Sequence, residues 1–243
     1  MSDRPKIRLY VDQPLQPGQT VDLSRDQGNY LFNVMRLGPG DDVALFNGRD
    51  GEWRAQVEQA GKRGGRLICR VQTAPLIAPP DLWLLFAPIK KARTDFIVEK
   101  AVEMGAARII PVQTDYTNAE RIRQDRLQAH AIEAAEQCGG TFVPEVCDLH
   151  RLDRVLADWP TGRGLIFADE ARVGAETGLS AAPARDSWAI LIGPEGGFSG
   201  PERARLSSLS FVTPIALGPR ILRADTAAVA ALTLFQAHLG DWR

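Results

Sequence analysis

Two short stretches near the C-terminus carry the residues best suited to chemistry: "GPEGGFSGPE" at 193–202 and "GPRILRADT" at 218–226. In the first, Gly193, Gly196 and Gly197 allow positive φ and close backbone approach, so a bound group can meet bare amides there. The "SGPE" that follows at 199–202 reads as a capping box with an early proline, which starts a helix directly after the glycines. In the second stretch Arg220 and Arg223 stand just ahead of a helix that Asp225 or Thr226 is expected to cap. Plainer readings compete with a ligand site. A tight strand-to-helix turn also needs glycines, and either arginine could pair with Asp225 or Glu195. The stretch is not a P-loop, because no Gly-Lys-Ser/Thr follows, and it lacks the glycine spacing of a dinucleotide fold. ATP hydrolysis and hydride transfer both lose ground.

The elements that must position these loops change character near Thr73. Before it, short β-like runs ("IRLYV", "DVALF", "EWRAQVEQ", "RLICRVQ") alternate with glycine-rich turns and suggest a small barrel, interrupted by a helical "QGNYLFNVMRLG". "TAPLIAPPD" is a Pro-rich, uncharged boundary of the kind that links domains. Beyond it, apolar runs ("LWLLFAP", "RIIPV", "GLIFADE", "WAILIG", "TPIALG") alternate with helical patterns such as "TDFIVEKAVEMG" and "DRLQAHAIEAAEQCGG". Continuous apolar strands alternating with helices indicate an α/β fold with a parallel sheet covered on both faces. Ligands on such sheets bind beyond the carboxyl ends of the strands, which is where both stretches fall. The last helix shows an apolar stripe through Val229, Leu232, Phe235 and Leu239, and Val229, Leu232 and Phe235 are expected to pack across a two-fold axis against a second copy.

Composition sets the outer limits. At 243 residues, 44% hydrophobic and 24% charged, the chain is long enough for one large domain or two modest ones. No apolar run approaches the roughly 18 to 20 residues that span a bilayer, and "MSDRPKIRLY" is charged where a signal peptide is apolar, so a cytoplasmic location is expected. Cys69, Cys138 and Cys147 read as free thiols. His130, His150 and His238 lack metal-ligand spacing, so the expected chemistry proceeds without a metal. A net charge of -1 argues against a nucleic-acid partner, but the basic residues are clustered in "RPKIR", "GKRGGR", "KKAR" and "ERIRQDR". Any one cluster can equally be a solvated face.

Taken together, "ILIGPEGGFS" and "LGPRILRADTAA" resemble the two signatures of the RsmE family of small-subunit rRNA methyltransferases, in the SPOUT superfamily. "YLFNVMRLGPGDDVALFNG" is similar to that family's N-terminal PUA-like domain, and "KKARTDFIVEKAVEMGAARIIPVQTDYT" and "AIEAAEQCGG" to its middle motifs. The resemblance implies a PUA-like RNA-binding β-barrel over residues 1–72. It implies a SPOUT methyltransferase domain over 73–243, with a C-terminal trefoil knot that binds S-adenosyl-L-methionine in a bent pose. It further implies a homodimer that methylates N3 of a uridine in 16S rRNA, with the assembled small subunit as the expected substrate. By the same resemblance, Ile192, Gly193, Gly196 and Gly197, with Leu217, Gly218, Ile221, Leu222 and Thr226, fall on the cofactor loops. Phe167 and Ala168 line the same pocket. Uridine N3 is a poor nucleophile until its proton leaves, and the resulting charge spreads onto O2 and O4. Arg223, and after it Arg220, are the candidates to stabilise that charge, with Glu195 as a candidate base. Arg8, Arg36, Lys62, Arg63, Arg66, Lys90, Lys91 and Arg93 are candidate RNA contacts.

Three positions depart from the family pattern: Asp225 where Glu is usual, Gly140 where Arg is common, and Lys91 where Gly is usual. Two other readings stay open. One is an RNA-binding protein with a vestigial cofactor pocket; the other is a nucleotide-binding α/β enzyme of different chemistry.

Overall fold

The computed structural model describes residues 5–61, 64–119, 121–175, 179 and 182–242. Two compact units emerge. One runs to Ala78 and takes in Ala135–Val143; the other comprises Pro79–Ala134 and the chain from Pro144 onward.

The first unit contains β1 (Arg8–Tyr10), β2 (Thr20–Asp22), α1 (Arg25–Gly28) running into a π-helical turn (Asn29–Val34), β3 (Asp42–Phe46), β4 (Glu52–Gly61) and β5 (Gly64–Ala74). The strands form one five-stranded sheet in the order β1-β3-β4-β5-β2. The pairings of the described residues do not include the β1–β2 contact that would close the expected barrel. Its core is Leu9, Val21, Leu31, Val43, Leu45, Val57 and Leu67, supplied by the inward positions of the strands and by the helical segment. That segment starts on a capping box: Ser24 Oγ accepts from Gln27 N at 3.2 Å and Ser24 N donates to Gln27 Oε1 at 3.0 Å. Just past the π-helical turn, Arg36 adopts φ 59°, a left-handed conformation uncommon outside glycine.

Arg8, expected from the sequence to contact RNA, is turned inward instead. Its side chain is 9% exposed, and Nε donates to Glu52 Oε2 at 2.7 Å. Nη1 donates to the carbonyls of Ala135 (2.5 Å) and Glu136 (2.7 Å), and Nη2 to that of Gly140 (2.7 Å). The guanidinium also lies 4.4 Å from the Phe46 ring centroid. With its donors engaged on protein acceptors, Arg8 ties residues 135–140 to the sheet rather than presenting charge to solvent. Gly140, where the family commonly has Arg, contributes a backbone carbonyl to this arrangement.

The second unit is built on a seven-stranded parallel sheet: β6 (Leu82–Phe86), β7 (Arg108–Gln113), β8 (Glu145–Val146), β9 (His150–Arg151), β10 (Gly164–Ala168), β11 (Trp188–Ile192) and β12 (Val212–Ile215). The order is β12-β10-β11-β6-β7-β8, with β9 also on β7. β10 and β11 are buried along their whole length, as expected of strands covered on both faces. The helices are α2 (Lys91–Glu103), α3 (Gln124–Cys138), α4 (Leu152–Ala157), α5 (Gly200–Ser208) and α6 (Ala224–His238). Among the described residues no helix is long and apolar enough to cross a membrane.

The stripe on α6 has an internal purpose. Leu232 and Phe235 are buried within the chain, at 0% and 1% exposure, and buried Gln236 donates through Nε2 to Met104 O at 2.7 Å, fastening α6 to the end of α2. These side chains are therefore not available to pack against a second copy. The start of α6 also differs from expectation. Arg223 holds the cap position with no capping hydrogen bond from its side chain, and Asp225 and Thr226 lie inside the first turn.

Candidate active site

Strand order decides which loops meet. β10 lies between β12 and β11, so the segments after these three strands sit side by side at the carboxyl edge of the sheet. They enclose a cavity of about 210 Å³. The β10 segment contributes Ala168, Asp169, Glu170 and Val173; the β11 segment contributes Gly193, Pro194, Glu195 and Gly197, with Ile192 at the strand end. The third wall is Leu217, Gly218, Arg220, Ile221, Leu222 and Arg223, continued by Ala224 and Ala227 of α6. The lining is apolar for most of its extent, with carboxylates and guanidinium groups set into it.

Local geometry explains the glycines. Gly197 adopts φ 69° and donates its N–H to Pro194 O at 2.9 Å, closing a tight turn. A Cβ there would run into the Glu170 carboxylate. Gly218 adopts φ 92° with open space where a Cβ would point. Immediately after the first turn, Ser199 Oγ accepts from Glu202 N at 3.3 Å and Ser199 N donates to Glu202 Oε2 at 2.9 Å, the capping box read from the sequence. The helix after the glycines is therefore fixed by local chemistry.

Charge is distributed unevenly. Arg220 and Arg223 are exposed residues lining one wall. The start of α6 beside them has no capping hydrogen bond from Arg223, but the Asp225 carboxylate in its first turn accepts from Thr226 N at 3.0 Å through Oδ1. Glu195 is exposed and lines the facing loop. Asp225, a sequence-level alternative partner for these arginines, instead lies 3.3 Å through Oδ2 from Arg93 Nη1. Opposite, Arg203 meets Asp169 Oδ1 at 3.0 Å and also pairs with Glu170.

Of the residues singled out from the sequence, Ala168, Ile192, Gly193, Gly197, Leu217, Gly218, Ile221 and Leu222 line this cavity, together with Arg220, Arg223 and Glu195. Three do not. Phe167 is fully buried beneath it, with its ring 4.9 Å from that of Phe198. Gly196 points away, where a Cβ would lie 3.3 Å from Tyr116 Cβ. Thr226 is exposed on α6 outside the lining. The resemblance reaches the end of β10 only through Phe167 and Ala168, so Asp169, Glu170 and Val173, which follow on the same segment, were missed. The acidic "ADE" ending an apolar strand was the available signal. Among the candidate RNA contacts, Arg36, Lys90 and Lys91 are exposed, and Arg66 is half-exposed 3.0 Å from Asp22. Lys62 and Arg63 lie outside the described residues. Arg93 is committed to Asp225. No cluster of three or more His, Cys, Asp or Glu suited to a metal occurs among the described residues.

An apolar, glycine-walled cavity at the strand ends of a parallel sheet is the layout of an α/β enzyme that binds a small ligand. Comparison with known proteins specifies the class. Residues 76–236 match the profile of an RNA methyltransferase domain, and residues 23–68 that of an RNA methyltransferase PUA domain. Ribosomal RNA small subunit methyltransferase E of Mycobacterium tuberculosis is 30% identical over 245 residues, covering 96% of this chain and 92% of the relative. Its Rickettsia conorii namesake is 29% identical, covering 93% of each chain. Among solved structures, the Neisseria gonorrhoeae enzyme of that name bound to S-adenosyl methionine superposes with a TM-score of 0.87 at 28% identity, covering 99% of this chain and 100% of the other. A Legionella pneumophila protein described as a methyltransferase in complex with the cofactor SAM gives 0.87 at 31% identity, covering 97% and 98%. The chain belongs to the RNA methyltransferase family whose curated relatives are called ribosomal RNA small subunit methyltransferase E.

Proposed function

We propose that this protein uses S-adenosylmethionine to methylate N3 of a uridine in the 16S rRNA of the small ribosomal subunit. The observation that carries the reading is the cavity formed by the segments after β10, β11 and β12, with Arg220, Arg223 and Glu195 on its walls. Its residues suit the cofactor. Ala168, Ile192, Leu217 and Leu222 offer apolar surface to an adenine ring, and the backbone at Gly197 and Gly218 permits close approach. When bound, the cofactor supplies an electrophilic methyl group. The rest falls to the chain's own residues. Glu195 accepts the N3 proton, directly or through a water. Arg223 and Arg220 stabilise the negative charge that then spreads over O2 and O4. The same walls hold N3 in line with the methyl group.

The proposal includes the family's deep trefoil knot and bent cofactor pose, a homodimer, and a cytoplasmic enzyme acting on the assembled subunit. Burial of Leu232 and Phe235 moves the expected two-fold contact to other surfaces of α6 and its neighbours. The PUA-like unit assists in holding RNA.

The test is methyl transfer from labelled S-adenosylmethionine to small subunits prepared from a strain lacking the activity. Nuclease digestion and mass mapping should place one added methyl group on the base of a uridine. Label on ribose, on tRNA or on no RNA at all would overturn the reading. A second expectation concerns the cofactor loop. Gly197→Val places a β-branched residue at φ 69°, which costs about 1–3 kcal/mol, and pushes its side chain into the Glu170 carboxylate. By calorimetry, affinity for S-adenosylmethionine should fall about tenfold or more. Gly196→Ala, which faces Tyr116 outside the cavity, should bind nearly as wild type does. Equal effects at the two positions would mean that the turn does not hold the cofactor.

A further inference from the structure

The carboxyl edge of the sheet continues beyond the cavity. Next to β11 come β6 and then β7. The loops after these two strands, with the first turns of α2 and α3, enclose a second groove of about 370 Å³. It adjoins the candidate active site. Ala87 N, just after β6, donates to Ile192 O at 3.0 Å, and Tyr116, after β7, packs where a Gly196 side chain would project.

The groove is amphipathic in a particular way. Pro88, Ile89, Ile122 and Leu127 give it an apolar floor. Its charged lining is Lys91, Arg121, Arg123 and Arg126 against the single carboxylate of Asp95, in a chain whose net charge is -1. Two of these cations already have partners. Arg126 pairs with Asp95, and Arg123 donates to both Asp125 oxygens at 2.9 and 2.7 Å. Those hydrogen bonds hold the Asp125 carboxyl down to about 2, so the Arg123–Asp125 pair is ionised and largely self-neutralised at neutral pH. Lys91 and Arg121 are exposed and have no ion-pair partner among the described residues. Two cations without an ion-pair partner among the described residues, over an apolar floor on the same sheet edge as the candidate active site, match a polymer that alternates phosphates with flat apolar bases.

We infer that this groove binds single-stranded RNA flanking the target nucleotide, with a base on the Ile89/Ile122 floor and phosphates on Lys91 and Arg121. The inference rests on the reading of the protein as an rRNA methyltransferase and adds the course of the flanking strand.

The test measures binding of a fluorescein-labelled oligouridylate of roughly 15 nucleotides across a salt series. Proteins compared are wild type, the double variant Lys91→Gln/Arg121→Gln, and a control double variant, Lys100→Gln/Arg154→Gln, which removes equal charge away from the groove. Each phosphate contact on a single strand contributes about 0.7 to the slope of log affinity against log salt, so the groove variant should lose about 1.4 from that slope. The control should keep the wild-type slope, and cofactor affinity should be unchanged in all three. Ile122→Ser should weaken binding without altering the slope, because it removes stacking surface and no charge. If the groove and control variants flatten the slope equally, or neither does, the groove is a solvated face and the inference fails. In either case methyl transfer by wild type can stand. Absence of both methyl transfer and RNA binding in wild type would instead remove the proposed function and this inference with it.

Discussion

Arg223→Ala should lower kcat for methyl transfer by on the order of 10²-fold or more, with much smaller changes in affinity for cofactor and RNA. The uridine carries no charge on O2 and O4 until N3 loses its proton, so a guanidinium beside those atoms interacts most strongly after deprotonation. Losing such a contact raises the barrier rather than weakening the ground state. The structure removes the main competing account, in which Arg223 is a structural partner of Asp225: that carboxylate is held by Arg93. Arg223 is exposed and makes no capping hydrogen bond, so its removal should leave the melting temperature nearly unchanged. A pH series adds a second signature. Higher pH deprotonates more uridine without help, so the variant's single-turnover rate should recover partly under alkaline conditions. Arg223→Lys keeps the charge but not the planar fork and should fall between wild type and alanine. Wild-type single-turnover rates in Arg223→Ala would take this residue out of the mechanism and leave Arg220 in its place.

The same neighbourhood shows what the sequence could and could not reveal. The capping box at Ser199 and Glu202 was legible because its chemistry is local, three residues apart along the chain. The parallel sheet was legible because strands buried on both faces must be apolar throughout, as β10 and β11 are. The cavity was half legible. Glycines and arginines mark the loops after β11 and β12, but insertion of β10 between those strands is a matter of topology, and it adds the wall that carries Asp169 and Glu170. Pairings between distant positions were not legible at all. Arg93 finds Asp225 across 132 residues, and Asp225, one of the two expected caps, lies inside the first turn of α6 rather than at its cap position. The α6 stripe shows the corresponding limit for apolar residues. Periodicity reports that one face of a helix is buried, not whether its own chain or a second copy buries it.

Arg8 extends the point to stability. Arg8→Ala should destabilise the first unit by about 3 kcal/mol or more, because it removes a cation from a buried pair. It also takes a donor from the carbonyls of Ala135, Glu136 and Gly140. For a unit of this size unfolding on its own, that corresponds to a fall in its melting temperature of roughly 12–24 °C. Thr73 Oγ1 would still donate to Glu52 Oε1 at 2.8 Å, a neutral hydrogen bond that does not replace the cation. Arg8→Lys should recover only part of the loss, since an ammonium reaches Glu52 but cannot span acceptors on both the sheet and residues 135–140. Hydrogen exchange separates the units. Amides of β3, β4 and β5 should lose protection in the variant while those of β10 and β11 keep theirs, and cofactor affinity should follow the second unit and stay near wild type. A role in RNA binding predicts the reverse pattern: an unchanged melting temperature, unchanged exchange, and a shallower salt dependence of RNA affinity. That result would return Arg8 to the RNA-binding surface and would mean that the guanidinium leaves its internal partners when RNA arrives.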